Sequence, residues 1–93
     1  MEIEIYSIKD NKSGFFLKPF DTRGVTDAIR SITEVVNDPK SFLNKFPEDY
    51  SLHLLGKLDD MSGVIHTECP LDPPTWAAPF KVLEIKSLIK KEA

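Results

Sequence analysis

The stretch from residue 37 to residue 50, NDPKSFLNKFPEDY, decides the fold of this chain. Proline disfavours helical backbone at the residue before it, so Asp38-Pro39 predicts the end of a preceding helix and Phe46-Pro47 predicts a second stop. Residues 41–46 can form one or two helical turns between these stops. Tyr50 opens a β-rich run, so the stretch connects a helix to a strand.

The segment before this connector has the pattern of an amphipathic helix. Apolar residues recur at helical spacing over residues 25–36, and polar residues occupy the remaining surface. Asp21 or Thr22 can accept the free amide hydrogens at the start of this helix. We therefore expect one main helix whose apolar stripe packs on the core.

A hairpin is predicted on each side of the main helix. Residues 2–9 and 15–20 mix β-branched, aromatic and charged side chains around a turn at residues 10–14, and residues 51–58 and 64–68 flank a second turn. In the first hairpin we expect one face to carry Tyr6, Ile8, Phe16 and Phe20, in a register that depends on the turn type.

The order strand, strand, helix, strand, strand predicts an α+β fold. It closes most simply as a single antiparallel sheet of two hairpins (ββαββ), with the helix across one face, over residues 1–68. Residues 69–79 hold four of the seven prolines and are predicted to be a connector. Residues 80–93 show a second amphipathic pattern ending in Lys90-Lys91, so we expect a C-terminal helix there.

Composition places the chain among folded proteins of one small domain. Its 93 residues are 41% hydrophobic and 29% charged. Cys69 is the single cysteine and no signal segment precedes the first strand, so we expect a reducing cytoplasm. No apolar run approaches the roughly 20 residues of a membrane helix, so we expect no membrane contact. Apolar groups on both sheet faces predict a homo-oligomer, most simply a dimer.

The charge distribution argues against a protein built mainly to neutralise phosphates. The net charge is −3; residues 81–93 carry four lysines and two glutamates, or +2, which leaves −5 on residues 1–80. Proteins that depend on counterion release usually carry a strong basic excess.

Few residues of the chain are candidates for catalysis or metal binding. Cys69 lies in no nucleophile motif, and we expect a small, partly buried side chain. His53 and His66 fall on the second hairpin without the ligand spacing of a zinc site, so we expect both to face solvent. Asp59-Asp60 is most simply a turn. We therefore predict that the protein is not an enzyme and holds neither metal nor cofactor.

Basic residues alternate with aromatic residues in the first hairpin and at the start of the helix. Aromatic rings on an open sheet can stack on unpaired bases while flanking cations follow the phosphates. The same pattern is expected if the rings are core residues and the cations lie on a solvent-exposed rim. Both interpretations stay open. The nucleic-acid-binding candidates are Lys9, Lys12, Lys18, Arg23, Arg30, Tyr6 and Phe16.

Trp76 and Phe80 are candidates for a protein interaction. Trp76 lies in a proline-stiffened segment, where little conformational entropy remains to be lost on binding. Packing of Trp76 on its own domain is the alternative.

The connector gives the chain a resemblance to a known family. Together with the first strand, the Ser13-Gly14-Phe15-Phe16 turn and the turn that ends in Ser62-Gly63, it resembles the small nonstructural protein of gokushovirus-type microviruses, which are single-stranded DNA phages, from about Ile3 to His66. The resemblance implies a protein that is absent from the mature capsid and acts while single-stranded progeny genomes are made and packaged. It implies no active-site residues.

Two functional hypotheses follow. The first is a non-enzymatic accessory protein of the infected host cytoplasm that acts in single-stranded viral DNA synthesis or packaging and binds single-stranded DNA. The second is a protein-interaction module that binds the phage replication initiator, the procapsid or a host replication factor through Trp76 and the C-terminal segment.

Overall fold

The computed structural model of the chain describes residues 2–90 and contains one antiparallel sheet with helices packed on one face. The strands and α-helices are, in chain order, β1 (Glu2–Asp10), β2 (Phe20–Thr22), α1 (Val25–Val36), α2 (Phe42–Lys45), β3 (Tyr50–Asp59), β4 (Ile65–His66) and β5 (Phe80–Glu84). Single 3-10 turns cover Pro47–Asp49 and Ile85–Leu88. The predicted α+β class is confirmed.

The sheet is built around the pairing of β1 with β3. These strands run antiparallel from Glu2 opposite Asp59 to Asp10 opposite Tyr50. β2 pairs with the outer edge of β1, whereas β4 and β5 share the other edge of β3, β4 toward the end of β3 and β5 toward its beginning. The predicted single antiparallel sheet is present, but its strand arrangement includes a fifth strand that the ββαββ prediction lacked.

Helix α1 covers one face of the sheet, as its apolar stripe predicts. Ala28, Ile32 and Val36 are buried on successive turns of α1. They pack with side chains from alternate positions of the two central strands, because successive residues of a strand point to opposite faces. The core cluster consists of Tyr6, Ile8, Ala28, Ile32, Val36, Leu43, Leu52, Leu54 and Ile85.

The start of α1 differs from the prediction. Its N-cap is Gly24, in extended backbone, and neither Asp21 nor Thr22 caps the helix amides. Thr22 instead closes the turn before the helix: its Oγ1 donates to the Gly24 carbonyl at 2.8 Å and accepts from the Gly24 amide at 3.3 Å.

The connector from residue 37 to residue 50 ends α1 at Val36 and folds as predicted into short turns. The Ser41 side chain caps α2 by accepting from the Leu43 amide at 3.1 Å. Asn37 joins the end of α1 to the C-terminal segment, since its Nδ2 donates to the Leu88 carbonyl at 2.9 Å and its Oδ1 accepts from the Lys90 amide at 2.8 Å.

The first hairpin contains a bulge that changes which faces its aromatic rings occupy. Tyr6 pairs with Phe20, while Lys9 pairs with Phe16, so residues 7–8 of β1 lie opposite residues 17–19 of the returning segment. The extra residue places Phe16 on the face opposite Tyr6. The expectation that Phe16 and Phe20 share a face with Tyr6 is therefore wrong for Phe16.

The predicted C-terminal helix is wrong over residues 80–88. Phe80–Glu84 form β5 on the free edge of β3, followed by the 3-10 turn of Ile85–Leu88. Leu52 pairs with Leu83 and His53 pairs with Lys81, so Val82 is an extra, bulged residue. At a bulge two consecutive residues lie on one side of the strand, and here these are Val82 and Leu83. This breaks the alternation of a regular strand, so the apolar residues show a spacing like that of a helix. Residues 91–93 of that prediction lie outside the described part of the chain.

Replacing Ile32 with aspartate tests the role of the α1 stripe. Ile32 is 9% exposed, so Ile32→Asp places an unpaired carboxylate in the core and should cost about 4 kcal/mol or more of unfolding free energy. Ser31→Asp is the matched control, because Ser31 is exposed on the same helix. Chemical denaturation measures both variants. Equal stability of the two variants would contradict this packing.

Candidate functional site

The sheet face opposite α1 carries a buried polar row. Ser7 and His53 are paired across β1 and β3, and Ser51 lies two residues before His53 on the same face. Ser7 is 0% exposed, Ser51 1% and His53 8%. Buried polar groups need hydrogen-bond partners, and the first hairpin supplies most of them.

Hydrogen bonds join this polar row to the first hairpin. Ser7 Oγ donates to the Leu17 carbonyl at 2.6 Å. Ser51 Oγ lies 2.9 Å from His53 Nε2 and also contacts the Asn11 side chain, at 3.2 Å from its Nδ2. These bonds fix both ends of the segment that carries Phe16.

Phe16 covers the polar row and remains partly exposed. Its ring packs edge-on against the His53 ring, with the centroids 5.4 Å apart, and 37% of the residue is accessible to solvent. Lys9 Nζ lies 5.7 Å from the Phe16 ring centroid, within the range of a cation–π contact. Lys81 pairs with His53 from β5. We call Lys9, Phe16 and Lys81 the Phe16 surface.

Burial governs the protonation of His53. It lowers the pKa of the imidazole below its ordinary value, and the positive charges of Lys9 and Lys81 lower it further, while Glu84 acts in the opposite direction. Nδ1 of His53 has no hydrogen-bond partner within residues 2–90. His53 is therefore a neutral structural side chain at pH 7, and the expectation that it faces solvent is wrong. His66 is exposed, as predicted.

Tyr6 cannot serve as the stacking ring that the sequence suggested. It is 1% exposed on the α1 side of the sheet and lies against the Phe20 ring at a centroid distance of 6.1 Å. Its hydroxyl donates to Glu4 Oε1. Burial and this bond raise the pKa of Tyr6 above its ordinary value.

The five predicted cations do not form one patch. Lys9 lies on the Phe16 surface, whereas Arg30 is exposed on α1, on the other side of the sheet. Lys12 forms an ion pair with Asp49 at 3.6 Å. The other two cations are exposed in the hairpin bulge and just before α1, at Lys18 and Arg23.

Sequence reasoning missed Lys81 because it assigned this residue to a helix. The run Phe80-Lys81-Val82 alternates apolar and charged residues, a strand signal that was available beside the helical one. In the structure Lys81 forms an ion pair with Glu84, which shares its face because of the bulge at Val82.

A separate apolar cleft brings Trp76 and Phe80 together, and Trp76 is partly buried against the core cluster of its own domain. The cleft has a volume of about 310 Å³ and opens beside the start of α1. Phe80 is 42% exposed, and Lys57 Nζ lies 5.3 Å from the Trp76 ring centroid. Lys57 also pairs with Glu4 at 3.3 Å, so the carboxylate that lines this cleft within residues 2–90 already has a cation partner.

The His, Cys, Asp and Glu side chains of the described residues do not cluster as metal ligands would. Within residues 2–90 no group of three or more His, Cys, Asp or Glu side chains could hold a metal ion. Cys69 is buried and forms no disulfide. In the same part of the chain no helix has the length and hydropathy needed to cross a membrane.

The fold defines a small α+β protein with one antiparallel sheet and exposed aromatic and apolar side chains. The chain belongs to the family described as Phage ORF5 protein, whose model matches residues 3–74. The match includes the Phe16 hairpin and the connector, and it ends before Trp76 and Phe80. Searches of curated proteins and of solved structures give no match. The family confirms the predicted link to bacteriophages.

The buried His53 predicts a loss of stability in acid. Its folded-state pKa is lower than that of the unfolded chain, so the unfolded chain binds the proton more tightly as the pH falls below about 6.5. The melting temperature should therefore fall in that range, and it should fall less in His53→Gln. His66→Gln is the control and should keep the wild-type slope. If the melting temperature falls equally with pH in the wild type and in both variants, the conclusion that the His53 imidazole is buried would be contradicted.

Proposed function

We propose that this phage protein is a non-enzymatic accessory factor that binds single-stranded DNA through the Phe16 surface. In this proposal it acts in the host cytoplasm during single-stranded viral DNA synthesis or packaging. The stage of action rests on the resemblance to the nonstructural protein of gokushovirus-type microviruses. Membership of the phage family supports the general setting.

The fixed and partly exposed Phe16 ring carries this proposal. His53 packs against the edge of the ring, and Ser7 holds the neighbouring Leu17 backbone. A ring held in place loses little conformational entropy when a base stacks on it. Lys9 beside the ring and Lys81 on β5 can approach the phosphates that flank such a base.

The electrostatics favour weak binding with a shallow salt dependence. Each neutralised phosphate contributes to the slope of affinity against salt, and the Phe16 surface offers only Lys9 and Lys81. Lys81 is also partly neutralised by Glu84. A net charge of −3 further opposes binding to a polyanion.

We expect the protein to bind single-stranded DNA more tightly than duplex DNA of the same sequence, because stacking needs unpaired bases. Phe16→Ala should weaken the single-strand complex by about tenfold, corresponding to the ~1–3 kcal/mol of one base-stacking contact. Lys9→Glu should also weaken the single-strand complex, because it replaces a cation beside the ring with an anion. Lys40→Glu is the control: it makes the same charge change at an exposed residue after α1 and should weaken binding less than Lys9→Glu. Fluorescence anisotropy at two salt concentrations measures these affinities. Absence of binding by folded protein at low salt would refute the proposal.

A second candidate function is a protein interaction at the Trp76 cleft. The observation that favours it is the convergence of Trp76 and Phe80 on one apolar cleft of about 310 Å³. The phage replication initiator, the procapsid or a host replication factor are the partners we propose for it. Affinity capture from infected cells with nuclease treatment separates the candidates: a partner retained after nuclease, lost in Phe80→Glu and kept in Phe16→Ala favours the cleft.

We also propose that the protein forms a dimer through one end of the face opposite α1. Ile3, Leu58 and Ile65 pair across β1, β3 and β4, forming an aliphatic row on that face. Ile65 is 55% exposed, so the row lacks a complete cover within residues 2–90. A second copy would bury it, and light scattering after gel filtration measures the mass.

A further inference from the structure

A polar cleft lies between the first hairpin turn and the connector that follows α1. Its volume is about 350 Å³. We call it the connector cleft. It is lined by Lys12, Lys45, Phe46, Pro47, Glu48 and Asp49.

Backbone contacts hold the two sides of the connector cleft together. The Asn11 amide donates to the Asp49 carbonyl at 2.8 Å, which joins the hairpin turn to the 3-10 turn. The Asp49 amide in turn donates to the Phe46 carbonyl at 3.1 Å. The cleft is therefore formed by ordered backbone on both sides.

Phe46 presents an open ring to this cleft. It is 56% exposed, although large apolar side chains are usually buried. The neighbouring Phe42 differs, because its ring packs against Tyr50 with a centroid distance of 5.2 Å. Phe46 is thus accessible for stacking with a flat ring such as a nucleobase.

The charged groups of the cleft favour a base with amino hydrogens. Lys12 and Asp49 form an ion pair at 3.6 Å, and Lys45 and Glu48 add one ammonium group and one carboxylate, so the lining within residues 2–90 has no net charge with which to hold a free phosphate. Carboxylates accept hydrogen bonds from the amino groups of bases. Guanine presents adjacent N1–H and N2–H donors that one carboxylate can accept together, whereas thymine presents a single N3–H between two carbonyl oxygens and can give a carboxylate only one hydrogen bond.

We infer that the connector cleft binds one unpaired nucleobase stacked on Phe46 and prefers guanine to thymine. This inference rests on the proposed binding of single-stranded DNA and adds a base preference to it. The two surfaces are connected along one strand: β3 starts at Tyr50, directly after the cleft, and His53 lies three residues further, about 10 Å along the strand. One short oligonucleotide can therefore reach both.

The test compares a labelled oligothymidylate with the same oligonucleotide carrying one central guanine. Wild-type protein should bind the guanine oligonucleotide about threefold to tenfold more tightly, as expected for one additional hydrogen-bonding contact. Phe46→Ala and Glu48→Gln should remove this preference and retain binding of oligothymidylate. The matched controls Phe42→Ala and Glu34→Gln change an exposed phenylalanine and an exposed glutamate outside the cleft and should keep the preference.

Equal affinity of wild-type protein for the two oligonucleotides would overturn the inference, as would a preference that survives both cleft variants. If neither oligonucleotide binds, the proposed function has failed, and titration of the labelled protein with dGMP and dTMP tests the cleft by itself. Amide shifts at residues 45–49 that are larger with dGMP than with dTMP would support a base site. Absence of such shifts would refute it.

Discussion

The long pairing of β1 with β3 is the constraint on which the rest of the structure depends. Around its middle it creates two sides with opposite chemistry: Tyr6 and Leu52 contribute to the apolar core, while Ser7 and His53 form a buried polar row on the other face. The apolar face requires a hydrophobic cover, which α1 supplies. The buried polar row requires hydrogen-bond partners, and the returning segment of the first hairpin supplies them. Phe16 is carried by that segment, so the surface proposed to bind DNA follows from the need to satisfy a buried polar row.

The elements with strong local signals could be predicted from the sequence. The stripe of α1 and the two proline stops of the connector depend on neighbouring residues, and both were found at the expected places. The errors in the face of Phe16 and in the C-terminal helix arose at bulges. One extra residue near Lys18-Pro19 moves Phe16 to the other face, and the bulge at Val82 makes β5 resemble a helix. A bulge depends on pairing between distant segments, so local periodicity does not reveal it.

The candidate site was predicted only in part for the same reason. Phe16 and Lys9 were selected as a ring and a cation, and the structure places them together. Tyr6 was also selected, but its face is the one that α1 covers. His53 and Lys81 were not selected, because the burial of His53 depends on the first hairpin and the position of Lys81 depends on the pairing of β3 with β5. Composition restricts the proposal, since an acidic chain with few aligned cations favours stacking over phosphate binding.

Phe16 packs over His53 on the face opposite α1, and proton–proton contacts in solution test this packing most directly. The ring centroids lie 5.4 Å apart, so nuclear Overhauser effects should join the ring protons of Phe16 to those of His53. Contacts from Phe16 to the Ile8 methyl groups should be absent, because Ile8 belongs to the core on the α1 side. Strong Phe16–Ile8 contacts without Phe16–His53 contacts would show that the hairpin has no bulge. They would contradict both the packing of Phe16 over the buried polar row and the proposed DNA-binding surface.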